Sequence, residues 1–544
     1  MMKRHALARA GDSRVELCFV VLVAGLLFVV LASPASAQTS GKTQPPVPSA
    51  DLREAAALIE QRQFDRATVL LRRVLKSSPR NPQALNMLGL VLTATGHLEQ
   101  ANAQFEKAIN ADHEFYPALK NLALNELSLG QLEKAQAHLQ QVLTLAPDDA
   151  GANLSLAEIY FHQKEYRRAT EHYLKTQGLY LRSSRTTLDF AQSCFDSDRA
   201  GLAAGALELL PADADANSHF QAGLMLAQLE RYDPAAQQFD LARKGYPDPY
   251  EVGFNLTLAY VRAQKYPQAI QTAQDLISRG YLKAELYNLL SEALEASGRT
   301  IEAYDALRTA TRIDPQDENN YLDLIALGVD HANFDLSLDI ASIGLRNIPG
   351  SFRLTMQRGA ALAFRGQITE GLADFEAAAK LDPDNNLPYF AMCMALMQTD
   401  QAPRALELLR QRLARSPDDY LLLYALGESL DRSRAADSAS QEEALRALER
   451  SVALNPSLTA AHALLGKFYL RRDQVGRAIE ELEKALELDP TDLTPCYQLS
   501  NAYRRKGDQK RADELLAKFQ QFRDEDREKH INRNLLKLLR EGEQ

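Results

Sequence analysis

An all-α solenoid of about fourteen helix pairs is the fold class this chain predicts, and three observations predict it. Small residues recur at fixed places in a unit of about 34 residues along nearly the whole chain. Prolines mark the same grid: Pro79 and Pro147 lie two units apart, and Pro247, Pro315, Pro349, Pro383 and Pro417 continue it after a two-residue slip. Pro456 and Pro490 add one more unit beyond a short insertion. Between consecutive prolines sit two amphipathic patterns of helical period, as in "YNLLSEALEASGRTIEAYDALRTATRIDP". No alternating apolar–polar run occurs, so no strand content is expected. A fixed period in this range marks an array whose units bury their apolar faces only by stacking on neighbours.

In chain order, the first 37 residues read as a signal peptide. Lys3, Arg4, Arg9 and Arg14 precede an apolar run from Leu17 to Ala32, and Ala35-Ser36-Ala37 offers a small-x-small cleavage pattern. At 16 residues the run is short for a membrane span. An uncleaved inner-membrane anchor over residues 17–32 is the alternative. Residues 38–50 form a Pro-, Ser- and Thr-rich linker that cannot bury a core. The first helix is therefore expected to begin at about Ser49.

Unit starts fall near Pro48, Pro82, Tyr116, Ala150, Ser184, Ala216, Tyr250, Ala284, Glu318, Phe352, Asn386, Tyr420, Thr459 and Leu493. Positions 8 and 20 of the unit are small, positions 4, 7, 11 and 24 large and apolar, and position 32 favours proline. In this the chain resembles the tetratricopeptide repeat family. The resemblance implies a right-handed superhelix of antiparallel helix pairs with a C-terminal capping helix. It also implies a close helix crossing at positions 8 and 20, where bulk would force the helices apart. The proline ends each second helix, because it lacks an N–H and clashes with the preceding turn.

Four units fill residues 51–183 and nine fill 216–523, with the capping helix at 524–544. Residues 184–215 form a degenerate unit without proline, two residues short, whose second helix "RAGLAAGALELL" is built of small side chains; it is read as a hinge. Unit 9 breaks the pattern with Ile325 at position 8 and Gly328 and Gly344 at positions 11 and 27. Unit 12 carries the insertion "RSRAADSASQE", which reads as an exposed loop.

The net charge of −10 argues against nucleic acid as a general partner. Cys194, Cys393 and Cys496 are far apart, which suits small buried residues rather than a disulfide framework. No nucleophile elbow, phosphate-binding glycine loop, CxxC pair or H-E-x-x-H motif occurs. No catalytic residue, cofactor or metal is therefore called for. Lone histidines such as His97 and His138, and acidic pairs such as Glu480 and Glu481, read as solvated surface.

The family resemblance places the binding surface on positions 2, 5, 9, 12 and 13 of each first helix, along a concave groove. In units 10 to 12 that surface reads Met356, Phe364, Leu387, Phe390, Met394, Met397 and Tyr424, an apolar stripe of the adaptable kind that receives peptides and helices. In units 13 and 14 it reads Lys467, Arg471, Tyr497, Asn501, Arg504 and Arg505, a basic patch on an acidic protein. In unit 8 it reads Glu285, Asn288, Glu292 and Glu295, which is acidic. A carboxylate clamp of the kind some members of the family use is absent: only Asn121 matches it. The expected function is a non-enzymatic scaffold that binds a protein or peptide partner in its groove after export, in a bacterial periplasm. Membrane contact is expected only through an uncleaved signal segment. The alternatives are an accessory arm of polysaccharide secretion or cell-wall machinery, and a recruitment arm for a separately encoded enzyme.

Overall fold

Apolar residues at helical spacing need a partner surface, and in this chain each helix finds it on the helices before and after it. A computed structural model describes residues 50–399, 401–433 and 438–521. The signal segment, all but the last residue of the linker, and the capping tail at 524–544 lie outside the described residues. The described residues hold twenty-eight α-helices and no strand. The chain divides into two compact units between Ala259 and Tyr260.

The first unit opens with α1 (Ala50–Glu60) and α2 (Phe64–Ser77), then α3 (Pro82–Ala94) and α4 (Leu98–Ala111). Next come α5 (Tyr116–Ser128) with α6 (Leu132–Leu145), and α7 (Ala150–His162) with the short α8 (Tyr166–Leu174). A 3-10 turn at Leu179–Arg182 leads into α9 (Ser184–Phe195) and α10 (Ala200–Glu208), then α11 (Ala216–Gln228) and α12 (Tyr232–Ala242). Helix α13 (Pro249–Arg262) carries the boundary.

In the second unit, α14 (Tyr266–Ser278) precedes α15 (Ala284–Ala296) with α16 (Thr300–Ile313), and α17 (Glu318–Asp330) with α18 (Phe334–Asn347). Helices α19 (Phe352–Phe364) and α20 (Ile368–Leu381), α21 (Leu387–Gln398) and α22 (Ala402–Leu413), and α23 (Tyr420–Arg432) and α24 (Ser438–Leu454) follow. The last pairs are α25 (Thr459–Arg471) with α26 (Val475–Leu488), and α27 (Thr494–Lys506) with α28 (Gln509–Gln521). Within each unit, successive helices pack on one another. The first helices of neighbouring pairs also approach each other, and the second helices do not to the same degree. The face of the first helices is the more closely gathered side of the stack.

Local chemistry sets the boundaries. Asn81, Asp149, Asp215, Ser351 and Asp419 each accept a backbone N–H at the start of a first helix, satisfying donors that have no partner within the helix. In the twelve pairs whose position 15 is among the described residues, the turn inside the pair takes one left-handed residue there. Glycine supplies it at Gly96 (φ 82°) and Gly366 (φ 80°), whereas Arg62 and Lys164 adopt it at φ 57° and 61°. Helix α2 stops at Ser77 and α16 at Ile313, two residues before Pro79 and Pro315, as the proline clash requires.

The crossing inside each pair is more specific than the sequence pattern suggests. Position 20 packs against the backbone of position 8: a Cβ at Gly371 would lie 2.8 Å from Gly359 O. Position 8, however, meets the side chain at position 24. A Cβ at Gly89 would come within 2.4 Å of the Phe105 ring, and one at Gly223 within 2.6 Å of Phe239. Phenylalanine at position 24 goes with glycine at position 8 in three pairs (Phe105, Phe239 and Phe375), although glycine also faces Leu448 and Leu482, and the buried Tyr173 ring goes with Ala157. Where position 24 is Leu71 or Leu139, position 8 is Ala55 or Ala123. Unit 9 inverts the pair, with buried Ile325 at position 8 and Ala341 at position 24. There the close approach moves to Gly328, whose Cβ would lie 2.5 Å from Ser337 Oγ. The departures in unit 9 compensate one another.

The insertion in unit 12 is only partly loop. Helix α24 begins at Ser438 and takes in the second half of the polar run; residues 434–437 lie outside the described residues. Its serines and glutamates tolerate a helical backbone, and the apolar rhythm from Ala444 onward fixes the helix behind them. Cys194, Cys393 and Cys496 are buried free thiols.

Candidate functional site

The residues expected to bind a partner all lie on first helices of the second unit. Met356 and Phe364 are on α19, Leu387, Phe390, Met394 and Met397 on α21, and Tyr424 on α23. Lys467 and Arg471 are on α25, with Tyr497, Asn501, Arg504 and Arg505 on α27.

The apolar stripe is not an open groove. Met356 and Phe390 are 0% exposed, Leu387 2%, Met397 4% and Tyr424 8%. The cause is visible in α21, "LPYFAMCMALMQ", which is apolar around nearly its whole circumference and buries nine of its twelve residues. Helices α19 and α23 close over it from either side. The Phe390 ring sits 6.4 Å from that of Tyr424, and Ser429 Oγ donates to Met397 Sδ at 3.1 Å. Burial pushes the Tyr424 phenol well above its ordinary range. Phe364 and Met394 alone stay half-buried, lining a small apolar dimple with Ala360, Phe375 and Ala391. Phe364 is stacked on Phe334 at 5.1 Å.

The basic residues, by contrast, remain at the surface and gather. Lys467 Nζ lies 2.7 Å from Asp431 Oδ2, and Arg471 pairs with the same carboxylate, whose side chain is only 8% exposed. Arg505 donates to Leu470 O at 2.6 Å and stands 3.6 Å from the exposed Asp473. Arg504 donates to Asn501 Oδ1 at 3.2 Å, and among the described residues it meets no carboxylate. Tyr497 is 45% exposed, its ring 5.6 Å from that of Phe519. Four cations thus face two carboxylates, which leaves this end of the first-helix face positive. Asp431, at position 12 of unit 12, is the member sequence reasoning missed. Tabulating carboxylates at inner positions of the preceding unit would have found it.

The inner-face polar residues of α15 are engaged by neighbouring repeats. Glu292 pairs with Arg262, Glu295 Oε1 lies 2.7 Å from His331 Nε2, and Asn288 donates to Asn320 at 2.8 Å. Asn121 donates to Asn86 Oδ1 at 2.9 Å, so the one residue matching the clamp is spent on a neighbouring repeat. Two solvated-surface readings also change. His138 Nδ1 contacts the buried Glu126 carboxylate at 2.8 Å, and the buried His462 contacts Glu481 at 2.6 Å. Both link successive helices inside a unit. Among the described residues no helix is long and apolar enough to cross a membrane, and no group of three or more His, Cys, Asp or Glu is placed to hold a metal.

Models of the tetratricopeptide repeat family match residues 58–124 and 126–175, and residues 254–318 and 442–492. Anaphase-promoting complex subunit 3 of Schizosaccharomyces pombe is 25% identical over 185 residues, covering 34% of this chain and 28% of that protein. Human interferon-induced protein with tetratricopeptide repeats 2 is 30% identical over 135 residues, covering 24% of this chain and 28% of its own. Cellulose synthase operon protein C of Pseudomonas fluorescens is 29% identical over 136 residues, 24% of this chain and 11% of that protein. The chain thus spans less than a third of the length of each of these three relatives, and about half of the human antiviral innate immune response effector IFIT1, to which it is 24% identical over 249 residues.

Proposed function

For a chain that belongs to the tetratricopeptide-repeat family, we propose a non-enzymatic scaffold that receives an acidic segment of a protein partner on the first-helix face of its last two pairs. The observation that carries this reading is the excess of cations there. Lys467, Arg471, Arg504 and Arg505 face Asp431 and Asp473 beside the exposed Tyr497, on a chain whose net charge is −10. Like charge elsewhere on the protein repels an acidic segment, so the local field directs it to this end. Arginine forks suit carboxylates, and an exposed tyrosine adds apolar contact at low entropic cost. The buried stripe of α19 to α23 serves as the rigid backing of this face rather than as a groove of its own.

The proposal includes export. It is supported by the basic start, the apolar run to Ala32 and the Ala35-Ser36-Ala37 cleavage pattern, and a bacterial periplasm suits them. A second reading, an accessory arm in polysaccharide secretion, draws on the short likeness to cellulose synthase operon protein C. The two differ in the partner that is captured.

Charge reversal tests the binding face. Arg471→Glu with Arg504→Glu is expected to weaken partner binding at least about tenfold, because rim charges set attraction and salt dependence. Lys467 remains to pair with Asp431 once Arg471 is replaced, and circular dichroism and a thermal melt of the variant separate lost binding from lost folding. Binding that survives reversal and is insensitive to salt overturns this assignment.

A further inference from the structure

At the joint between the fourth and fifth pairs, His162 on α7 meets Arg185 on α9, with Glu158 one turn before His162 and Asp189 one turn after Arg185. His162 Nε2 lies 3.4 Å from an Arg185 guanidinium nitrogen, and Arg185 Nε lies 3.8 Å from Asp189 Oδ2. The outer half of this cluster is wet, with the Arg185 side chain 57% exposed; the Asp189 side chain is only 17% exposed. Beneath them is Tyr173 of α8, fully buried, with its ring edge-on to Tyr180 and Phe190 at 6.2 and 5.6 Å. Tyr173 Oη has no hydrogen-bond partner among the described residues, and the charges of Asp189 and Glu158 both bear on it. A buried hydroxyl without a partner is costly, so a donor or acceptor arriving beside it gains more than usual.

We propose that Glu158 and Asp189 form a proton-binding site that locks this joint when both carboxyls are neutral and loosens it when they ionise.

Burial drives the carboxyls toward their neutral forms. It pushes Glu158 up to about 7 and Asp189 up to about 6, while Arg185, being exposed and screened, only partly opposes the shift. Once both are ionised, two half-buried carboxylates share one wet guanidinium. The other titratable groups of the packed elements do not supply the missing cation. Burial, then Arg185, lowers the pKa of His162, which disfavours a charged ring there. His172 of α8 is lowered too, contacts Asn153 at 2.9 Å and stacks on Tyr160. The 3-10 turn brings Tyr180 and an exposed Arg182. Cys194 of α9 is pushed up by burial, and His219 of α11 contacts Gln238 at 2.7 Å.

The surrounding chain is soft enough to respond. Gln177 and Gly178 take consecutive left-handed conformations, and α10 is nine residues long, with nothing packed where side chains at Gly201 and Gly205 would project. The sign follows from linkage. For an acid whose folded value is raised, the folded joint holds more protons than the opened one. Its stability is complete below the ordinary carboxyl range and falls as pH rises through 6 and 7.

Native-state hydrogen exchange on the whole protein tests this, with rates corrected for the intrinsic pH dependence. Protection of α8 and α9 amides is expected to drop at least about tenfold between about pH 5 and about pH 8, while α3 and α4 stay level. Glu158→Gln with Asp189→Asn, which imitates the neutral state, is expected to hold protection at its low-pH level throughout. A flat wild-type profile, or a slope that survives in the double variant, overturns the proposal. Infrared spectroscopy of the wild type provides a reading that needs no variant. A protonated carboxyl band still present near pH 6, well above the ordinary carboxyl range, supports the site, and its complete loss by about pH 5 contradicts it.

Discussion

Phe390→Ala is expected to cost about 3–5 kcal/mol, the largest loss of any single change on the first-helix face. The ring is 0% exposed on α21, a helix that is buried round most of its circumference, with the Tyr424 ring of α23 beside it. Removing it opens a cavity that neighbouring repeats cannot fill, because α21 is held by helices on both sides. Unfolding in an array need not be two-state, so the loss should be read locally, as lost exchange protection and an earlier urea transition in α19 to α24. Tyr497→Ala, at a side chain 45% exposed, provides the comparison and should stay within about 0.5 kcal/mol. Equal melting of the two variants would mean that the stripe is a surface after all.

The second expectation concerns the size match between positions 8 and 24. Gly89→Ala places a methyl 2.4 Å from the Phe105 ring, a distance real packing does not allow. Overpacking of this kind costs about 1–3 kcal/mol. Replacing glycine inside a helix returns about 1 kcal/mol in backbone entropy, so the single variant should lose less than that range suggests. Phe105→Leu should be destabilising by itself, since it hollows out a fully buried site. Together the two changes recreate the Ala55–Leu71 combination of the first pair, and much of the combined loss should vanish. A double-mutant cycle should give a favourable coupling of about 1–3 kcal/mol. Ala296→Leu, at an exposed helix end, is the neutral control. Strict additivity would mean that the two positions do not meet.

What was legible in the sequence follows from what the repeat enforces. Helix number, pairing and order follow from a period repeated fourteen times, because one register error would move every apolar face outward. The burial of the three cysteines was readable on the same grounds. Side-chain exposure on the first helices was not. Position 5 of the unit holds Met356 and Phe390, both buried, and also Tyr497, which is exposed. Among the described residues α19 and α21 are each followed by a further first helix packed against them, whereas none follows α27, and that neighbour lies about 34 residues away in sequence. Charged residues escaped this ambiguity, since Lys467, Arg504 and Arg505 must keep their ends in water wherever the helix sits. The Glu158–Asp189 cluster and the Asp431 partner were missed for one reason: each unites residues from consecutive units, so a unit-by-unit reading separates them.

The scaffold itself is most directly tested by a photo-crosslinking side chain introduced at Tyr497 in intact cells of the native host, with a second at the exposed Glu480 of α26 as reference. One discrete crosslinked protein carrying an acidic segment is expected from position 497, absent from position 480 and lost with Arg471→Glu and Arg504→Glu. No crosslink at 497, or the same products from both positions, would contradict a partner-binding face at this end of the array.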